Sequence, residues 1–397
     1  MRRLQPAPYI AAVGSSARML AQSARRAGLN VAALDIFGDR DTRRYAPLWF
    51  DIGGEGLSID RALLFDALER TARLPRMLGF VVGSGLEPLM QELCSASRLP
   101  RFIGNSAEAT AAVRDPLRFF ALLDRLGIAH PDVATTRPLD TNGWLLKRAD
   151  GCGGTHIEVL DALSATTPAD AYFQRRAAGR SMSTLFISAR GKAAVIGFAE
   201  QLSMSAGKFP FLHTGSIGPV ELPLQVAADI TEAVNAIVAH TDLVGLNSID
   251  FLLDGNRFQV LEVNPRPSST MTLYETAAPE TWPHGLIACH VDACIDGRLP
   301  PPAPTATRVT AGQRVLFAPR GFVVSGPFSD ACFSDPSCHD VPQPGTRIGA
   351  GEPICTLVVT QSSTSAVRDE LERRGALVLQ RIETCHEDTD AVIPYPV

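Results

Sequence analysis

The sequence predicts a mixed fold: an open α/β sheet unit at the amino end, an α+β region through the middle and a small β-rich region at the carboxyl end. Three observations predict it. Strand-like and helix-like runs alternate over residues 1–112. The middle holds a glycine-rich loop between two strand-like runs and, further on, an alternating hairpin. The run PPPAP (300–304) then leads into short strands with Gly and Pro turns. The divisions expected are 1–112, 113–188, 189–299 and 300–397.

The amino end opens as a βαβ unit. YIAAV (9–13) reads as a strand, and ARMLAQSARRAG as a helix with Met19, Leu20 and Ala24 at helical spacing, stopped by Gly28. VAALDIF (31–37) has the character of a strand buried on both faces in a parallel sheet. Residues 61–74 form an amphipathic helix, LGFVVGSGL (78–86) another buried strand and EPLMQELC (87–94) a further helix. Ligands of such a sheet lie at the carboxyl ends of its strands.

DPLRFFALLDRLG (115–127) is a helix, and WLLKRADGCGGTHIEVL (144–160) a strand, a glycine loop and a strand. YFQRRAAGRSMSTLFIS (172–188) and KAAVIGFAEQLS (192–203) read as two more strands. The polar, Gly- and Pro-rich stretch 204–219 is expected to be a loop before helix 225–240. NSIDFLLDGNRFQVLEVNPRP (247–267) alternates as a hairpin about Asp254-Gly255-Asn256.

With 397 residues the chain exceeds the size, about 250–300 residues, at which single cores stop growing. Its 45% hydrophobic and 20% charged residues exclude a disordered or fibrous chain. A balance of 37 Lys plus Arg against 42 Asp plus Glu, net −5, argues against nucleic acid, which needs a basic face. No apolar run approaches the ~20 residues of a membrane span, and the opening segment is broken by Pro6, Pro8 and Gly14. The expectation is a cytoplasmic protein with no membrane partner. The eight cysteines include no Cys-x-x-Cys, and Cys332, Cys338 and His339 lack a second ligand pair, so structural thiols are expected.

Chemistry concentrates on the hairpin. Glu262 and Asn264 are two apart and leave one face of their strand, and the hairpin brings Asp250 beside them. Three oxygen donors suit Mg²⁺, which binds through few carboxylates and fills its shell with water and phosphate oxygens; a solvated polar face is the alternative reading. Lys147 ends a strand four residues before GCGGT (151–155), a loop whose amides can approach phosphate oxygens or which is a plain turn. No G-x-x-x-x-G-K-[ST] occurs.

LEVNPRPSST (261–270), NSIDFLL (247–253), the lysine strand with its glycine loop (145–155) and the βαβ opening together resemble the ATP-grasp superfamily, more narrowly its carboxylate–amine ligase and carboligase-like members. The resemblance covers about residues 1–300 and implies a Rossmann-like pre-ATP-grasp domain (1–112), a two-lobed ATP-grasp core (113–188 and 189–299) and a β-rich C-terminal domain (300–397). It implies ATP and two Mg²⁺ ions, with Mn²⁺ as a substitute. By position, Asp250, Glu262 and Asn264 match the metal ligands, with Glu262 bridging. Lys147 matches the phosphate-reaching lysine, and Arg114 or Arg118 the upstream basic residue. Gly151, Gly153, Gly154 and Thr155 match the loop, Gln174 and Arg175 the start of the hinge, and Arg266 the arginine beside the transferred phosphoryl group. Two departures stand out. Arg175 and Arg176 follow Gln174 where a ribose-binding glutamate is common, leaving Glu200 or Asp150 as replacements, and Ser248 stands where several ligases have an arginine.

The stretch 205–219 is expected as a lid or an ordinary surface loop, with Lys208 and His213 facing substrate and His213 a candidate base. A second surface is expected in the first domain. Ser15, Ser16 and Arg18 lie at a strand-to-helix turn suited to an anion. Asp35, Asp39 and Asp41 would bind an amine or hydroxyl, or cap turns, and GSGLE (83–87) would line the same cleft. Ser268 is assigned to substrate, and the missing lysine in 341–359 argues against biotinylation.

The function these readings imply is ATP- and Mg²⁺-dependent joining of a small-molecule carboxylate to an amine through an acylphosphate, with a homodimer as the assembly allowed for. The narrower resemblance places the substrate among glutamate-containing methanopterin- or methanofuran-type one-carbon cofactors. The alternatives are bicarbonate activation and a nucleotide-binding protein without turnover.

Overall fold

The structure is a computed structural model that describes residues 7–160, 168, 170–301 and 309–387; most of PPPAP lies outside the described residues. The amino end runs β1 (Tyr9–Val13), α1 (Arg18–Arg26), β2 (Asn30–Asp35), α2 (Arg40–Tyr45), β3 (Leu48–Asp51), α3 (Arg61–Thr71) and β4 (Met77–Val82). Its strands form a parallel sheet in the order β3-β2-β1-β4. Ala11, Ala12, Ala32 and Ala33 are fully buried there, as a sheet covered on both faces requires. Strand β3 and helix α2 go beyond the sequence expectation; β3 is short and only half-buried, and carries no alternation to read.

Helices α4 (Met90–Ser95), α5 (Ala107–Arg114) and α6 (Pro116–Leu126) lead out of this unit. The start of α6 is fixed by Asp115, which accepts from the amides of Leu117 and Arg118, and by Pro116 in the first turn. Its end is fixed by Gly127 in the left-handed region. A small antiparallel sheet follows, from β5 (Val133–Ala134), β6 (Trp144–Arg148), β7 (Ile157–Val159) and β8 (Ala171–Arg175), in the order β5-β8-β6-β7.

The largest sheet has eight antiparallel strands. It uses β9 (Arg180–Ala189), β10 (Lys192–Ala206), β11 (Phe209–Gly218), then, after α7 (Leu224–Ala239), β12 (Gly245–Asp254) and β13 (Arg257–Asn264). Helices α8 (Met271–Ala277) and α9 (Gly285–Asp296) precede β14 (Thr310–Phe317). The order is β13-β12-β9-β10-β11-β14, continued by Pro353–Gln361 and Cys338–His339.

Three expectations are corrected. Residues 172–188 are two strands in two different sheets; Gly179, at φ +137° and close to Leu252 and Leu253, makes the break. The expected loop at 204–219 is mostly the second arm of a long hairpin, whose Gly and Pro content hides its strand character. The carboxyl-terminal region extends the large sheet through β14, which pairs with β11. It also adds the 18-residue helix Thr364–Arg381, whose Val367 and Leu371 pack over the space left by Gly312.

Candidate active site

A cavity of about 880 Å³ opens between the small sheet and the large one. Its walls are the glycine loop at Gly153 and Gly154, the connection Gln174–Gly179, strands β10 and β11, and the β12–β13 hairpin. The long hairpin reaches across to the loop: the His213 amide donates to Gly153 O (2.9 Å), and Lys208 Nζ pairs with Glu158 on β7 (2.7 Å). Lys208 is thereby committed to the small sheet and does not face the cavity, contrary to expectation. Gly154, at φ +82°, leaves no room for a side chain against the Phe211 carbonyl, so loop and hairpin meet backbone to backbone.

The hairpin places its polar residues as expected. Asp250 lies opposite Glu262, and Ser248 opposite Asn264, with a bulge after Asp250. Asn264 Nδ2 donates to Asp250 Oδ2 (3.1 Å), and Gln201 Nε2 to Asp250 Oδ1 (2.7 Å). Lys147, 2% exposed, donates from Nζ to Gln174 Oε1 (3.2 Å) and lies 3.5 Å from Glu262 Oε2. Arg266 donates to Glu87 Oε1 (2.8 Å) from Nε and to Asn264 Oδ1 (3.4 Å) from Nη2.

The charges are strongly perturbed. Burial beside Glu262 pushes the Asp250 carboxyl up to about 7. Burial acts on Glu262 in the same direction, but Lys147 and His156 outweigh it and hold that carboxyl well below its usual range. Lys147 stays charged because Tyr172 and Glu262 offset its burial. Burial, with Arg266 nearby, pulls His213 down to about 4.

Of the two upstream arginines, Arg114 holds the base of the glycine loop, donating from Nη2 to Ala149 O and Gly151 O (2.5 and 2.8 Å), without lining the cavity itself. Arg118 is turned to solvent and paired with Glu108, which corrects its assignment as a nucleotide ligand. Arg175 lines the cavity and donates to Asn142 O (3.0 Å), and Ser268 lines it too. Thr155 is exposed, with its hydroxyl on Cys152 O. Among the acids considered for a ribose, Glu200 lines the cavity and accepts from Arg368 of the carboxyl-terminal helix (2.5 Å), whereas Asp150 is bonded to Arg148 outside it.

The second surface expected in the first domain is corrected. Arg18 and Ser16 both bond Asp340 Oδ1 (3.0 Å), and Ser15 donates to Ser84 O (3.4 Å). Asp35 accepts from the Ala17 and Gly38 amides and from Trp49 Nε1. Asp41 accepts from the amides of Asp340 and Val341, and Asp39 is buried just before α2. Docking of the segment around Asp340 uses Ser16, Arg18 and Asp41, Ser15 ties the turn to the end of β4, and Asp35 serves the local turn; none of these, nor Asp39, lines the cavity.

One residue at the cavity goes unread in the sequence. His156 is buried beneath Gly151 with its Nε2 3.6 Å from Glu262, and neither ring nitrogen has a hydrogen-bond partner. Gln174 Nε2 is likewise buried without one. Buried polar groups are normally satisfied, so these donors call for oxygens from a bound molecule. Together with Lys147, the glycine loop and the Asp250–Glu262–Asn264 set, they fit a polyphosphate with a divalent ion. Among the described residues no three His, Cys, Asp or Glu side chains form a metal cluster by themselves, in keeping with a set of two carboxylates and an amide. The alternation of the hairpin, the string around Glu262 and the lysine strand with its glycine loop mark this region in the sequence; His156, just after that loop, belongs to none of these patterns.

Residues 113–270 match the ATP-grasp domain family. The chain contains an ATP-grasp domain. Solved structures share the fold of nearly the whole chain: a biotin carboxylase from Campylobacter jejuni superposes with a TM-score of 0.67 at 14% identity, covering 94% of this chain and 95% of that one. An L-amino acid ligase from Bacillus licheniformis gives 0.64 at 14%, covering 97% and 99%. N5-carboxyaminoimidazole ribonucleotide synthetase from Thermus thermophilus gives 0.65 at 20%, covering 93% and 98%. No curated protein matches by sequence. Among the described residues, no helix is long and apolar enough to cross a membrane.

Proposed function

We propose that the protein is an ATP- and Mg²⁺-dependent ligase that activates a carboxylate as an acylphosphate and joins it to an amine. The observation that carries this reading is the convergence of Lys147, Glu262, Asp250, Asn264 and Arg266 on one cavity beneath a glycine loop. Asp250, Glu262 and Asn264 would hold the divalent ion, and the loop amides and Lys147 the phosphates. Bound ATP supplies a phosphoryl group that makes a carboxylate oxygen a leaving group, and the ion neutralises charge on the phosphates.

The chain's own residues do the rest. Lys147 and Arg266 bring positive charge to a buried site, where it is worth more than in water. A carboxylate oxygen attacks the γ-phosphorus as the bond to the β–γ bridging oxygen breaks; the amine then attacks the acyl carbon, the carbon–oxygen bond to phosphate breaks, and the amine proton leaves to solvent. His213, neutral at pH 7 with a value near 4, suits hydrogen bonding to the amine better than keeping its proton. The hairpin bonded to Gly153 screens the site from water, which would hydrolyse an acylphosphate.

A second reading, bicarbonate activation, is favoured by likeness to the biotin carboxylase domain of a Hydrogenobacter thermophilus 2-oxoglutarate carboxylase solved with MgADP and bicarbonate, at a TM-score of 0.69 and 13% identity. Phosphate release from ATP with carboxylates plus amines, glutamate-bearing pterin or furan cofactors included, and separately with bicarbonate, tests both. Release with a carboxylate and an amine, abolished in Glu262→Gln, is expected; ADP appearing with bicarbonate alone overturns the amide-ligase reading.

A further inference from the structure

A second cavity, of about 540 Å³, lies on the other side of Asn264 and Arg266 from the first and shares those two residues with it. It sits where three parts of the fold meet: the end of β4 and α4, the α5–α6 corner, and the base of the glycine loop with β8. We propose that this chamber binds the carboxylate substrate, and that it selects an acid with a sizeable apolar or aromatic body. The proposal rests on the ligase reading above and gives its substrate a class.

Three features carry it. The first is charge. Arg114 and Arg266 both border the chamber, and each has donors to spare: Arg114 is engaged through Nη2, and Arg266 through Nε and Nη2. Among the described residues their remaining nitrogens have no hydrogen-bond partner. A planar carboxylate is the natural acceptor for a guanidinium edge. Four carboxylates line the chamber as well, and each is already engaged: Glu87 by Arg266 and the Gly85 amide, Asp115 by the Leu117 and Arg118 amides, and Asp150 and Asp170 by Arg148, which leaves the spare guanidinium nitrogens as the open donors.

The second is the wall. Away from the arginines the chamber has an apolar wall of Met90, Ala111, Pro116, Leu117, Ala171 and Pro265, beside a polar side that includes Asp115, Asp150 and Asp170. Apolar walls with a few convergent polar groups are the usual form of a small-molecule site. The third is size. The chamber falls within the ~300–1,000 Å³ of pockets that bury organic ligands, and bicarbonate, a few times the ~30 Å³ of a water, would leave most of it unfilled. An acid seated with its head at Arg266 presents that head at Asn264, on the border of the cavity assigned to the phosphates.

The test uses the full chain with ATP, Mg²⁺ and hydroxylamine as a general amine, scoring hydroxamate for octanoate, phenylpropionate, indolepropionate, acetate and bicarbonate. ADP affinity is measured in parallel by titration calorimetry. The larger acids should exceed acetate at least ten-fold in kcat/KM. Two variants narrow the chamber: Ala111→Trp inside it, and Leu117→Trp at its mouth, where the side chain is 65% exposed and the change leaves the core alone. Each should raise KM for the larger acids about ten-fold and leave ADP affinity unchanged. Acetate or bicarbonate served as well as the larger acids, none of the larger acids turned over, or KM unmoved in both variants with ADP still bound, overturns the chamber while sparing the nucleotide reading. A wild-type protein that binds no ADP overturns both.

Discussion

Arg266 Nε donates to Glu87 Oε1 at 2.8 Å, joining the end of the β12–β13 hairpin to the turn that follows the amino-terminal parallel sheet. Both side chains are nearly buried, so each is the other's main compensation for leaving water. The pair also holds the Arg266 guanidinium on the border between the two cavities. Glu87→Ala should cost about 3 kcal/mol or more of stability, because it strands a buried guanidinium. Glu87→Gln keeps an acceptor and should cost less, while lowering kcat through a looser Arg266. Urea unfolding and steady-state kinetics on both variants check this, and equal stability losses would contradict it.

His156 offers an opposite pattern. Its ring nitrogens are buried without a hydrogen bond, the Glu262 carboxylate standing 3.6 Å from Nε2, so much of its polarity goes uncompensated in the free protein and a ligand would compensate it. His156→Leu should leave the melting temperature unchanged or raised, and weaken ADP binding by about ten-fold, the factor for ~1.4 kcal/mol. Lowered stability with unchanged ADP affinity would make His156 a purely structural residue.

How far the sequence reveals this site depends on the range of the forces that build it. The β12–β13 hairpin is legible because alternation and a Gly-Asn turn are local, and the βαβ opening because buried parallel strands are continuous apolar runs. The site residues on those elements, Asp250, Glu262, Asn264 and Lys147, come together as the sequence implies. Arg18 and Asp41 mislead because their partners around Asp340 lie some 300 residues away. β11 has the composition of a loop because residues frequent in turns, Pro210, Gly215 and Gly218, lie within it, and Gly215 here allows close backbone approach to Gln313 of β14. The helix Thr364–Arg381 is hidden behind a stretch dominated by turn residues.

Acid should destabilise the protein through its buried histidines. His290 accepts from the Leu246 amide at Nδ1 (2.9 Å) and donates from Nε2 to Ile103 O (3.0 Å), an arrangement only the neutral ring can make. Burial pulls it from 6.5 down to about 4. Between those values the unfolded chain binds a proton that the folded one does not, so this contribution is present above pH 6.5 and lost as pH falls towards 4. At ~1.4 kcal/mol per unit it amounts to roughly 3 kcal/mol. His213, also near 4, adds in the same direction. His290→Gln should be less stable at neutral pH and show a shallower loss on acidification, read by urea midpoints across that window; an unchanged pH slope would contradict the assignment.

The central claim is that the cavity between the two sheets binds a nucleotide with Mg²⁺, held by Lys147 and the Asp250–Glu262–Asn264 set. Titration calorimetry of ADP with Mg²⁺ into the wild-type protein and Lys147→Met, with circular dichroism to confirm that both are folded, tests it most directly. The account predicts saturable binding of one nucleotide per chain that weakens at least ten-fold in the variant and when Mg²⁺ is chelated. Absence of saturable binding to the folded wild-type protein, or equal affinity in the folded variant, would contradict it.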